Sequence, residues 1–256
     1  MNKLILWRYI CTAFVVLFIC SCASNLSRNY SPHSVYETIT SENDPPEDEM
    51  QPIIPSDINN SPENVIKTFI SAVKSGDFIE MATPFAIKDY IEGYNPDRLK
   101  EGEVGFFAQP TYDELFQKVY KQIYSFLLGF RISYEDEDAF DALNNVNMES
   151  LLDPQQYETL HIVRIDIPEQ DEARHAEIIS EEHLGVRLSG ADGWDYRTAL
   201  LSLNGETYYC GFSFLVYNGR YLIESLHCDY AIMMDYNLTL LPCPEEEYIR
   251  IISDLP

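Results

Sequence analysis

Basic residues are scarce in this chain. Its 256 residues hold 17 Lys and Arg against 42 Asp and Glu, for a formal charge of −25. A chain so poor in cations lacks the positive footprint that nucleic acid and anionic lipid headgroups require, which excludes both as partners. Cysteine is scarce as well: beyond Cys22 only Cys210, Cys228 and Cys243 remain, an odd number that leaves at least one thiol unpaired and provides no disulfide framework. The chain contains no H-E-x-x-H, no G-x-S-x-G elbow, no P-loop and no dinucleotide fingerprint, so it announces neither a metal nor a cofactor.

What is present begins with a targeting pattern. Lys3 and Arg8 precede an uncharged run from Ile10 to Ile19, and Ile19-Cys20-Ser21-Cys22 follows. A basic start, a short apolar segment and small residues at its end make a secretory signal, and the run falls short of the roughly 20 apolar residues of a membrane span. Ile19-Cys20-Ser21-Cys22 resembles the lipobox of bacterial lipoproteins, and the resemblance implies that Cys22 becomes the lipid-modified first residue of the mature protein. An ordinary signal peptide or single anchor that happens to contain Cys20 and Cys22 is the alternative. Residues 22–60 then carry Pro32, Pro45, Pro46, Pro52 and Pro55 among acids and small polar residues, with no apolar periodicity. Such a stretch buries too little to offset its ordering entropy and is expected to be a disordered tether with a reach on the order of 35 Å. Residues 61–256 are left as one globular domain.

The strongest fold signal is Trp194 to Cys228, where Asn204-Gly205 and Asn218-Gly219 separate three alternating runs, the pattern of an antiparallel three-strand meander. Two-residue turns place Leu203 opposite Glu206 and Tyr217 opposite Arg220. Alternation then puts Arg197, Ala199, Leu201, Leu203, Tyr208, Cys210, Phe212, Phe214, Val216, Tyr221, Ile223, Ser225 and His227 on one face. The other face holds Tyr196, Leu200, Tyr209, Ser213, Leu215, Tyr217, Leu222, Glu224 and Leu226, too apolar for open water and suited to cover, including by a second subunit. A three-residue bulged turn at Asn218-Gly219 would exchange the faces of the last strand. It would also let Cys210 and Cys228 meet, whereas the two-residue register sets Cys210 opposite His227. Leu160 to Ile167 alternates as a further strand, with Val163, Ile165 and Ile167 on one side and Arg164 and Asp166 on the other.

Helices precede the sheet. Ser61-Pro62-Glu63 is a helix start, Val65, Ile66, Phe69, Ile70 and Val73 follow at helical spacing, and Ser75-Gly76-Asp77 ends that helix and caps the next. Thr111-Tyr112-Asp113-Glu114 is a capping box that opens a helix of about five turns through Phe130. Glu135-Asp136-Glu137-Asp138 lacks the spacing of a calcium loop. His175, Glu177, Glu181, Glu182 and His183 mix imidazoles with carboxylates, but no tight ligand spacing joins them, and a solvated helix face is the simpler reading.

Ser61-Pro62-Glu63-Asn64-Val65, Phe69, Ala72-Val73 and Gly76-Asp77-Phe78 resemble the opening helix pair of the ketosteroid-isomerase-like, or nuclear-transport-factor-like, superfamily. Asn218-Gly219-Arg220-Tyr221-Leu222-Ile223 is similar to its closing hairpin. The resemblance implies an α+β cone in which helices close over a curved antiparallel sheet. It also implies that the first face of the meander lines a pocket, with Arg197, Tyr208, Tyr221, Ser225 and His227 as the groups that orient a ligand. No catalytic constellation of that superfamily is matched here. The expected function is a non-catalytic binding domain tethered to the bacterial cell envelope through Cys22, taking a small molecule or an envelope protein. Two alternatives stand beside it: an isomerase- or hydratase-like enzyme using Tyr208, Tyr221 or His227, and an acidic immunity or inhibitor protein against a basic partner.

Overall fold

The computed structural model describes residues 59–99, 108–131, 146–168, 184–228 and 238–254. The signal segment, Cys22, the tether, the Glu135–Asp138 run and the group from His175 to His183 lie outside them. The described helices are α1 (Pro62–Ser75), α2 (Phe78–Ala82), α3 (Ile87–Gly93), α4 (Tyr112–Gly129), α5 (Met148–Leu151), α6 (Leu184–Ser189) and α7 (Glu245–Asp254). The described strands are β1 (His161–Asp166), β2 (Gly193–Leu203), β3 (Glu206–Tyr217), β4 (Arg220–His227) and β5 (Leu241–Pro242). The architecture is α+β, with helices on a curved antiparallel sheet of order β1-β2-β3-β4, where β5 pairs with β3 beyond the end of β4.

Local chemistry explains the boundaries. The Ser61 side chain accepts from the Asn64 amide at the start of α1, Gly76 ends the helix at φ 70°, and the Asp77 carboxylate accepts from Ile79 and Glu80 to open α2. Thr111 and Glu114 form the reciprocal capping box of α4, which runs 18 residues. At the hairpins Asn204 and Gly205 (φ 54° and 89°) and Asn218 and Gly219 (φ 51° and 74°) adopt the left-handed pairs of tight primed turns. They pair Leu203 with Glu206 and Tyr217 with Arg220, the two-residue register.

That register does not persist along β4. Phe214 pairs with Ile223 but Ser213 pairs with Ser225, so Glu224 is the extra residue of a β-bulge. Beyond it every side chain changes face. Leu226 turns inward to the core, while Ser225 and His227 turn to the outer face, opposite to their expected placement. The same shift sets Gly211, not Cys210, opposite His227, so the expected Cys210/His227 pairing is replaced. Cys210, Cys228 and Cys243 are all buried. A second bulge, between Ile162 and Arg164, corrects β1: Ile162 and Ile165 pack on the core, and Val163 and Ile167 are exposed.

The main core lies between the inner face of the sheet and α1, α2 and α4. Phe69 of α1 meets Phe126 of α4 at 5.1 Å, Phe212 of β3 at 6.0 Å and Phe85 at 6.1 Å between ring centroids, all edge-on. The outer face is covered at both ends by the chain itself. Ala86, Val186 and Ala191, beside α3 and α6, pack on Leu215, Tyr217 and Leu222, while Tyr248 of α7 and Leu241 of β5 pack on Leu200, Tyr209 and Cys228.

Candidate functional site

Arg197, Tyr208 and Tyr221 sit on the inner face, where the sequence placed them, but the polar groups of Arg197 and Tyr208 are committed to the fold. Arg197 is largely buried; its Nε donates to Glu63 Oε1 at 2.8 Å, and a terminal nitrogen donates to Asp195 and to the Tyr196 carbonyl. It therefore fastens the first turn of α1 to β2. Burial pushes the Glu63 carboxyl up, but the Arg197 hydrogen bond and charge outweigh it and hold the group below the usual carboxylate range. Tyr208 is buried, donates its hydroxyl to Glu206 at 2.8 Å and lies edge-on to Phe130 at 4.9 Å. Burial, with the Glu206 carboxylate beside it, pushes its phenol well above the ordinary range, which leaves it a poor proton-transfer group near neutrality. Tyr221 is half-buried, edge-on to Phe214. The space that a cone ligand would occupy is filled by Phe69, Phe126, Phe130, Phe212 and Phe214, each at most 9% exposed.

Ser225 and His227 belong to a second group, on the outer face between the two covered ends. The ladder sets Tyr196, Ser213 and Ser225 in one row and Thr198, Gly211 and His227 in the next. Trp194, Tyr196 and His227 stack in series, with ring centroids 5.9 and 5.0 Å apart and planes within 12°. Gly211 makes room for the stack: a Cβ there would lie 2.6 Å from Tyr196 Oη and 2.8 Å from His227 Nε2. The bulge residue Glu224 accepts from Trp194 Nε1 at 3.0 Å, and Tyr196 and Tyr209 share a hydroxyl contact of 3.2 Å. A serine beside a histidine raises the question of a nucleophile and its base. Ser213 Oγ lies 3.5 Å from His227 Nδ1 but only 2.7 Å from Ser225 Oγ, and Ser213 is 4% exposed. The shorter contact is the one to Ser225, and the contact to His227 is longer than the roughly 2.6–3.2 Å of an activated hydroxyl. Trp194, Tyr196, Ser213 and Glu224 were not singled out as site residues; Trp194-x-Tyr196 carried the period-two signal, but the bulge that brings His227 to them leaves no mark in the sequence.

A third polar group anchors α7. Tyr248, fully buried, donates to Asp166 Oδ2 at 2.9 Å and contacts Thr198 Oγ1 at 2.9 Å. Arg164 grips Asp166 with two bonds of 2.6 and 2.7 Å and lies over the Tyr248 ring. The Arg164 hydrogen bonds hold the Asp166 carboxyl below its ordinary pKa against the opposing effect of burial. An open groove of about 610 Å³ runs along α4 between Lys118, Lys121 and Thr239. Its Gln122 and Ser125 side chains already accept from the Leu226 and Thr239 amides. Among the described residues no three His, Cys, Asp or Glu side chains gather as a metal site, and no described helix is long and apolar enough to cross a membrane.

No protein-family model matches the chain, and no curated protein matches it. Among solved structures the chain is similar to a cystatin-like protein from Ruminococcus gnavus at 17% identity and a TM-score of 0.43, over 74% of this chain and 42% of that one. The chain thus spans less than half the length of that neighbour.

Proposed function

We propose that this chain is a lipid-anchored protein of the bacterial cell envelope, whose folded domain is a non-catalytic module that binds another protein through its surface. The observation that carries this reading is the filled inner face: Arg197 and Tyr208 are spent on Glu63, Asp195 and Glu206, and among the described residues aromatic rings occupy the volume between helices and sheet. Small-ligand sites are concave and largely preformed, whereas among the described residues the inner face is packed with side chains. The raised phenol of Tyr208 and the buried Ser213 support a binding role over an isomerase or hydratase. The lipobox-like Ile19-Cys20-Ser21-Cys22 and the proline-rich acidic stretch after it support the anchor and tether. Membership of the nuclear-transport-factor-like superfamily is part of the same proposal, and it rests on the Ser61–Phe78 helix pair and the Asn218–Ile223 hairpin.

Two measurements test it. Metabolic labelling with radioactive fatty acid is expected to mark the protein and to be lost in Cys22→Ala; an unlabelled wild type sinks the anchor. Thermal-shift screening of the mature chain against a metabolite panel is expected to stay flat. A ligand at a hundred times its dissociation constant would stabilise by about 2.7 kcal/mol, so a reproducible shift abolished by Tyr208→Phe would overturn the surface reading.

A further inference from the structure

Both tight turns of the meander are Asn-Gly pairs at hairpin tips, and Asn204, Gly205, Asn218 and Gly219 are all exposed. An asparagine before a glycine carries a reaction of its own. Its carboxamide carbon can close a five-membered ring with the next main-chain nitrogen, and glycine sets no side chain in the path. The path is open at both turns: a Cβ added to Gly205 or Gly219 would meet nothing within 4 Å. The two turns also share a conformation, with φ 54° and 89° in one and 51° and 74° in the other, so backbone shape does not separate them. Their asparagine side chains do differ. Thr159 Oγ1 donates to Asn204 Oδ1 at 2.7 Å and accepts from the Asn204 amide at 2.9 Å, a bridge that must break before the carboxamide can swing toward Gly205. At the other turn Asp192 Oδ2 accepts from the Asn218 amide at 2.6 Å, and the Asp192 amide donates to the Val216 carbonyl at 2.7 Å, so the main chain is held there too. Neither bond touches the Asn218 carboxamide. Among the described residues no hydrogen bond engages that carboxamide or the Gly219 amide.

We propose that Asn218 is a self-modification site, converted in the folded chain to aspartate and isoaspartate through a cyclic imide closed by the Gly219 nitrogen, and that Thr159 protects Asn204 from the same reaction. This inference is independent of what the domain binds. The Gly219 nitrogen forms a bond to Asn218 Cγ and gives up its proton. The bond from Cγ to Nδ2 breaks, and that nitrogen leaves with the proton as ammonia. Water then adds to one of the two ring carbonyls: opening at the side-chain carbonyl gives aspartate, and opening at the main-chain carbonyl gives isoaspartate. One water is taken up and one ammonia released, and nothing is oxidised or reduced. Either product sets a new carboxylate beside Asp192, and the isoaspartyl form lengthens the main chain by one carbon at the turn that fixes Tyr217 opposite Arg220. Giving up one neutral hydrogen bond on the way to the imide slows closure at Asn204 about fivefold relative to Asn218.

The full chain is incubated in mildly alkaline buffer and sampled over weeks. Peptide mapping by mass spectrometry follows the amide-to-acid mass gain at each Asn-Gly pair, and an isoaspartyl methyltransferase labels the isoaspartyl product. A parallel incubation in urea supplies the two rates without structure. The expected result is isoaspartate at residue 218 forming about fivefold faster than at residue 204 in the folded chain, and near-equal rates in urea. Thr159→Ala should raise the rate at Asn204 about fivefold and leave that at Asn218 unchanged. Thr159 is exposed, so the substitution leaves the core untouched. An Asn218 that stays intact in the folded chain, conversion there to aspartate without isoaspartate, equal rates at the two turns of the folded chain, or a Thr159→Ala variant in which Asn204 reacts no faster would each overturn the proposal.

Discussion

Arg197 holds two carboxylates and a carbonyl on one guanidinium, and this explains why a residue suited to a ligand is closed to one. Removing it strands Glu63 and Asp195 with their charges. Arg197→Ala is expected to cost about 1–3 kcal/mol in urea unfolding, below the range for fully buried pairs because solvent reaches Glu63. Asp166 gives a pH signature. Its folded pKa lies below the unfolded value, so its contribution is complete above about pH 4 and is lost as the pH falls through the folded value. Asp166→Asn should therefore melt below the wild type at pH 7, and the gap should narrow between pH 4 and pH 2. A gap that stays constant over that range would show that the carboxylate is not held by Arg164 and Tyr248.

At the scale of elements, the bulge at Glu224 decides which face His227 occupies. Deleting Glu224 removes the bulge but keeps the pairing of Ser213 with Ser225, Phe212 with Leu226 and Gly211 with His227, so both faces of β4 and cooperative unfolding by circular dichroism are expected to survive, with the Trp194 bond lost. Glu224→Gln keeps the bulge and weakens only the bond from Trp194, an effect of less than about 1.5 kcal/mol. This contrast shows what could be read in advance. Asn-Gly pairs, capping boxes and a Pro after a hydroxyl N-cap act within four residues, so the turns, α1 and α4 were legible. The bulges at Val163 and Glu224 depend on how β1 meets β2 and β4 meets β3, and no local residue pattern marks them. The helix α7 was missed although Pro244 and three acids precede Tyr248, Ile251 and Ile252 at helical spacing. Its role as cover for Leu200 and Tyr209 depends on contacts about 40 to 50 residues apart.

For the whole molecule, one sheet carries two different interfaces. Its inner face is an aromatic core shared with α1 and α4, and its outer face is roofed at both ends by α3, α6 and α7. A chain of charge −25 favours encounter with basic partners, since a large net charge acts on encounter rates at a distance and is screened by salt. The central claim is that the space between helices and sheet is full. Crystals pressurised with xenon test it most directly, because xenon enters apolar cavities and avoids close-packed interiors. The account predicts no xenon among Phe69, Phe126, Phe130, Tyr208 and Phe212 in the wild type, and a bound atom once Phe126→Ala opens a void. Xenon or ordered solvent beside Tyr208 in the wild type would contradict it and restore the cone as a pocket.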